Sequence, residues 1–119
     1  MSRTLKEIMD FQAEFDKTHI GAVPFFEELS EDNVEVLEHL IVCLIGEVGE
    51  LANIAKKIRR GDFLLEQQRS NISEEVADVF IYLMKIAGQT GTDLEVEYFK
   101  KMRVNKERFR AFEDDDAGD

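Results

Sequence analysis

At 119 residues the chain has room for one domain and one core, and is small enough for a subunit interface to complete it. Its 26 acidic residues outweigh 15 basic ones, a net charge of −11, which disfavours DNA or RNA as a partner. Nine phenylalanines and no tryptophan still stock a core, and the one cysteine, Cys43, excludes an intrachain disulfide and fits a reducing compartment.

Met1 to Glu7 contains no apolar signal core, and the best apolar run, Leu40 to Ile45, falls far short of the ~20 residues that cross a bilayer. The expectation is a soluble, cytoplasmic protein with neither a membrane nor a nucleic acid as partner.

Thr4 and Glu7 have the spacing of a capping box, and Leu5, Ile8, Met9, Phe11 and Phe15 mark an amphipathic helix ending near Lys17. Residues 18–29 hold Gly21 and the one proline, Pro24, and read as a loop with apolar content. Such a loop packs over a site or a partner subunit, or simply closes the core. Ser30, Asp32 and Asn33 suit the start of a long second helix. Its Val34, Leu37, Leu40, Ile41, Leu44, Ile45, Val48, Leu51, Ile54 and Ile58 make a broad apolar stripe. The basic turn Lys56 to Arg60 and then Gly61 end it.

Asp62 to Ser70 is polar and reads as a connection, after which Asn71 or Ser73 caps a third helix. Val76, Val79, Phe80, Leu83, Met84 and Ala87 form its core face, and Gly88 and Gly91 end it. Thr92 to Glu95 reads as a second capping box, opening a fourth helix whose apolar face runs from Leu94 through Tyr98, Phe99, Met102 and Phe109 to about Phe112. The expected fold is all-α, a four-helix bundle-like domain over residues 1–112, its site completed by a second subunit, with 113–119 as an acidic, solvated tail.

Two acidic pairs interrupt these apolar helices. Glu47 and Glu50 lie three residues apart, as do Glu75 and Asp78, so each pair shares one helix face. The chain can bring them together: ten residues of helix beyond Glu50 descend ~15 Å, and the thirteen residues 61–73 span up to ~40 Å when extended. Four converging carboxylates cannot all stay ionised in a half-buried site without cations. Oxygen ligands of this kind suit Mg²⁺, or Mn²⁺ in its place, and Mg²⁺ recruits substrate phosphates to fill its octahedron. The bland alternative is a solvated acidic face. Against it stand the apolar neighbours Ile45 and Val48 and the helix-disfavoured Gly46 and Gly49, which admit either a ligand or a neighbouring helix.

Tyr82 follows Asp78 by four residues on the same stripe. Lys101, Asn105 and Arg108 share a stripe of the last helix, able to hold phosphates or merely to face solvent. A di-iron carboxylate bundle is disfavoured, because neither His19 nor His39 follows a glutamate at the required spacing.

Glu47-Val48-Gly49-Glu50-Leu51, followed by Glu74-Glu75-Val76-Ala77-Asp78-Val79-Phe80-Ile81-Tyr82-Leu83, resembles the E-x-x-E … E-x-x-D signature of the MazG-like all-α nucleoside triphosphate pyrophosphatases. Lys101 to Arg108 resembles that family's K-x-x-x-N-x-x-R ending, and the match runs from about Asn33 to Phe109. Within the superfamily the MazG and dCTP-pyrophosphatase branches are the most similar. The resemblance implies Mg²⁺-dependent hydrolysis of a (d)NTP to the monophosphate and pyrophosphate by a metal-activated water. It implies Glu47, Glu50, Glu75 and Asp78 as metal ligands, with Lys101, Asn105 and Arg108 on the triphosphate and Tyr82 lining the nucleotide site. Glu50 or Glu47 would serve as general base. It also implies a homodimer, or a tetramer built as a dimer of dimers. The chain lacks the tryptophans that cytosine-selecting relatives place near the base, and His39 stands about where some relatives have asparagine, so base preference does not carry over. The rival function is a non-enzymatic helical interaction protein with a vestigial acidic site.

Overall fold

The computed structural model describes residues 2–22 and 24–113. Among them are four α-helices and no strand beyond an isolated bridge between Ile20 and Pro24. Helix α1 spans Leu5–Lys17 and begins with the expected capping box: the Thr4 hydroxyl accepts from the Glu7 amide at 3.1 Å, and the Glu7 carboxylate accepts from the Thr4 amide at 3.3 Å. Helix α2 spans Val34–Arg60. Asn33 stands at its N-cap but turns back, accepting from the Ser30 amide at 2.7 Å and donating to the Glu28 carbonyl at 3.0 Å. It thus pins the preceding turn and leaves the helix uncapped by a side chain. Gly61, with φ of 93°, closes α2 in the left-handed conformation that glycine adopts without steric cost.

Helix α3 spans Leu65–Thr90, which corrects the expected connection over 62–70 and the cap at Asn71 or Ser73. Glu66, Gln67, Gln68 and Arg69 are good helix formers on a solvated first turn, so an apolar period is absent there without the helix being absent. The Gln67 amide oxygen accepts from the Leu64 backbone at 2.9 Å and fixes the start. Gly88 lies within α3 rather than at its end; a Cβ there would sit 3.7 Å from the Phe26 ring. Helix α4 spans Leu94–Arg108 and is capped by Asp93, one residue later than the Thr92 expected, through the Val96 amide at 3.1 Å. It stops at Arg108, and a 3₁₀ turn, Arg110–Phe112, carries the chain on. Asp114 to Asp119, most of the expected acidic tail, lie outside the described residues.

The four-residue link between α2 and α3 folds them into an antiparallel hairpin, which forms the main packing of the molecule. Helix α1 packs on α3, and α4 meets the others near α1's first turn, where Tyr98 and Phe99 approach Thr4 and Leu5. Among the described residues the buried apolar ones are Leu40, Met84 and Ala87, at the end of the hairpin away from its link. The radius of gyration is 18.3 Å, against about 13–14 Å for a compact chain of this length. Much apolar surface is therefore uncovered. Of the apolar stripe on α2, Leu40 is buried, whereas Val34, Ile41, Ile45 and Val48 are exposed, Ile45 to 63%. The stripe is wider than the one helix packed against it can cover.

Candidate active site

Within the hairpin, Glu47 of α2 and Glu75 and Asp78 of α3 each bring a carboxylate oxygen within 4.8 Å of the others. All three are half-buried. The i, i+3 spacing puts Glu75 and Asp78 on one face of α3, and the antiparallel hairpin sets Glu47 opposite them. Glu50, one turn further along α2, is exposed, yet it lies close enough for its carboxylate to raise that of Glu75.

Glu75 is the centre of this group. Its carboxyl is pushed up to about 7, first by the neighbouring Glu47 carboxylate, then by burial and by Glu50. Its Oε2 is buried and has no hydrogen-bond partner among the described residues. A buried carboxylate oxygen facing other carboxylates needs a proton or a cation. The donors are all hard oxygens, and the set fits a divalent cation of the Mg²⁺ or Mn²⁺ type.

Tyr82, one turn beyond Asp78, is half-buried. Its phenol is pushed above its ordinary range, mainly by burial and then by Cys43, Glu47 and Asp78. Cys43 in turn lies 3.6 Å from the His39 ring nitrogen Nε2. Tyr82 also joins the carboxylates to a cleft of about 500 Å³ between α2, α3 and the segment around Phe25, a volume suited to a small-molecule ligand.

Asp16, bonded to the cleft-lining Lys85, and Gln89 went unnoticed in the sequence. Asp16 of α1 is 1% exposed and accepts from Lys85 of α3 at 2.9 Å and from Gln12 at 3.0 Å. Gln89, also buried, uses both ends of its amide on the loop: it donates to the Phe25 carbonyl at 3.2 Å and accepts from the Glu27 amide at 3.2 Å. Its backbone carbonyl takes the Leu29 amide at 2.9 Å. The faint signal was position: Lys85 and Gln89 continue the stripe of Glu75, Asp78 and Tyr82 at spacings of three and four.

Four expected site residues thus converge here, Glu47, Glu75, Asp78 and Tyr82, with Glu50 at the rim. Lys101, Asn105 and Arg108 do not. They lie on α4, which makes no substantial packing with α2 or α3 inside one chain. Gly46 and Gly49 face open space, where an added Cβ would meet no atom within 4 Å.

The family model of the MazG nucleotide pyrophosphohydrolase domain matches residues 35–110. The chain is 30% identical to dCTP pyrophosphatase 1 of Homo sapiens over 112 residues, covering 91% of this chain and 60% of that protein. It is 30% identical to dCTP pyrophosphatase 1 of Rattus norvegicus over 110 residues, covering 89% and 59%. Gene 37 protein of Mycobacterium phage L5 is 35% identical over 60 residues, 49% of this chain and 53% of that one. The chain therefore spans about 60% of the length of the pyrophosphatases it matches.

Proposed function

The chain belongs to the MazG nucleotide pyrophosphohydrolase domain family, and on that premise we propose that it hydrolyses a (d)NTP to the (d)NMP and pyrophosphate. The observation that carries this reading is the orphaned, buried Glu75 Oε2 inside a three-carboxylate cluster. Such a cluster destabilises the ligand-free chain, and a phosphate-bearing substrate with its divalent cation is the kind of ligand that offsets the repulsion.

In this reading Glu47, Glu75 and Asp78 hold the cation, joined by Glu50. When bound, the cation neutralises phosphate oxygens and makes a nearby water more acidic. The chain's own residues do the rest. Glu50 or Glu47 accepts the proton of the attacking water as its oxygen bonds to the α-phosphorus and the bond to the bridging oxygen breaks, releasing pyrophosphate. Tyr82, between the carboxylates and the cleft, orients the nucleoside, and Phe25 and Leu40 exclude water from it.

Lys101, Asn105 and Arg108 enter this scheme through a second copy of the chain. The open face of α2, with Ile41, Val42, Ile45, Gly46 and Gly49, supports a homodimer, or a dimer of dimers, in which α4 of one subunit reaches the groove of another. The working compartment is the cytoplasm. A second reading, a helical interaction protein without activity, draws on the same open apolar surface.

A product assay with Mg²⁺ and a panel of nucleoside triphosphates separates them. The hydrolase reading expects monophosphate and pyrophosphate in equal amounts from at least one nucleotide, loss of turnover on chelation, and a sedimentation mass at least twice that of one chain. A panel with no product in the presence of Mg²⁺ and Mn²⁺ leaves the interaction protein standing.

A further inference from the structure

We propose that Lys85 is a specificity-determining residue, which reads a carbonyl oxygen of the nucleobase and so sets oxo-bearing bases above adenine. The inference rests on the nucleotide reading of the groove and names the substrate class that reading leaves open.

The carboxylates occupy one end of the groove, and the cleft behind Tyr82 occupies the other. Asp78 and Lys85 are seven residues apart on the same face of α3, two helical turns or ~10 Å. With phosphates at the carboxylate end, the base of the same nucleotide falls in the cleft, where Phe25 and Tyr82 offer aromatic surface.

Besides Tyr82, Glu27, Glu35, His39, Lys85 and Gln89 are the polar residues lining the cleft, and Gln89 commits one donor and one acceptor of its amide to the 25–27 backbone. Lys85 differs. Its ammonium carries three N–H donors, and among the described residues its one hydrogen-bond partner is Asp16. The side chain is 14% exposed, held over Phe25 at 5.2 Å and near Tyr82 at 6.0 Å from the ring centres. Aromatic faces attract the charge but leave the remaining donors without a strong acceptor.

Asp16, almost wholly buried, is the positioning residue: it balances the charge and, with Gln12 on the same oxygen, fixes where the ammonium stands. An ammonium donates and never accepts, so the base edge it meets has to present an acceptor and not an amine. Cytosine, uracil, thymine, guanine and hypoxanthine all carry a carbonyl oxygen. Adenine carries none: its acceptors are ring nitrogens, two of them flanking the exocyclic amine, and that amine turned toward Lys85 would oppose donor to donor.

The test is calorimetric binding of α,β-imido analogues of dCTP, dUTP, dGTP and dATP in Mg²⁺, with hydrolysis of the natural nucleotides followed in parallel. The best oxo-base analogue should bind on the order of 10-fold or more tightly than the adenine one, the worth of a charge-assisted hydrogen bond. Lys85→Met alone strands a buried carboxylate, so the paired variant is Asp16→Asn with Lys85→Met, its fold checked by circular dichroism. It should lose the preference while adenine binding holds; Asp16→Asn alone, which keeps the ammonium, should retain it.

Equal or tighter binding of the dATP analogue by the native protein overturns the assignment, as does an unchanged preference in the folded double variant. A protein that binds with the preference but releases no pyrophosphate supports Lys85 and overturns the hydrolase reading. One that binds no nucleotide overturns both.

Discussion

The two ends of the α2–α3 groove hold similar amounts of polarity and treat it in opposite ways. At one end Asp16, Lys85, Gln12 and Gln89 are each matched to a partner, donor to acceptor and charge to charge. At the other, Glu47, Glu75 and Asp78 converge with like charge, and one buried oxygen has no partner. The matched end holds α1 and the loop against α3. The mismatched end is costly to the chain alone and becomes favourable only with a ligand. What the fold leaves over for a ligand is the carboxylate cluster and the uncommitted donors of Lys85.

The largest effect should come from breaking the matched end. Asp16→Ala strands the Lys85 ammonium in a place nearly closed to water, and should cost ~3–5 kcal/mol of stability in a urea titration. A loss under ~1 kcal/mol would mean that water already screens the pair, and the contrast would fail.

Asp78→Asn probes the other end with the opposite signature. Pyrophosphate release should fall on the order of 100-fold or more, as for removal of a group that acts on developing charge. The metal-free melting temperature should hold or rise, because one of three converging charges is gone. A variant that melts early would place Asp78 in the framework instead.

The smallest effect is a pH dependence. Glu75 sits at about 7 in the fold against an ordinary 4.5, so between those values the native chain keeps a proton that the unfolded chain has shed. Its contribution to stability is therefore fully present below about 4.5 and lost as pH rises through about 7. Metal-free protein should melt at progressively lower temperature across that window, by differential scanning fluorimetry. Glu75→Gln should flatten the slope, and saturating Mg²⁺ should flatten it in the native chain.

The mismatched end was legible in the sequence because it is local. Carboxylates three apart inside an apolar helix announce a shared face, and a short connection lets two such faces meet. The matched end was not, because Asp16 and Lys85 are 69 positions apart and each alone looks like a solvated helix charge. The start of α3 escaped for a related reason: residues 65–70 are exposed apart from the half-buried Gln68, and a turn that buries little carries no apolar period. The stripe on α2 was readable as apolar but not as divided, since Leu40 facing α3 and Ile45 facing outward are chemically alike.

One feature of α3 reaches beyond binding. Glu75, Asp78, Tyr82, Lys85 and Gln89 form a single row on one uninterrupted helix, so carboxylates, base cleft and loop anchor share one register. Deleting a single residue between Asp78 and Lys85 would turn everything beyond it by about 100° relative to everything before it. A substitution along that row acts on one side chain at a time, whereas a change in its length moves every later side chain to another face. Tolerance to insertion belongs to the segment around Gly21, where the backbone is already irregular and the helices do not depend on its count.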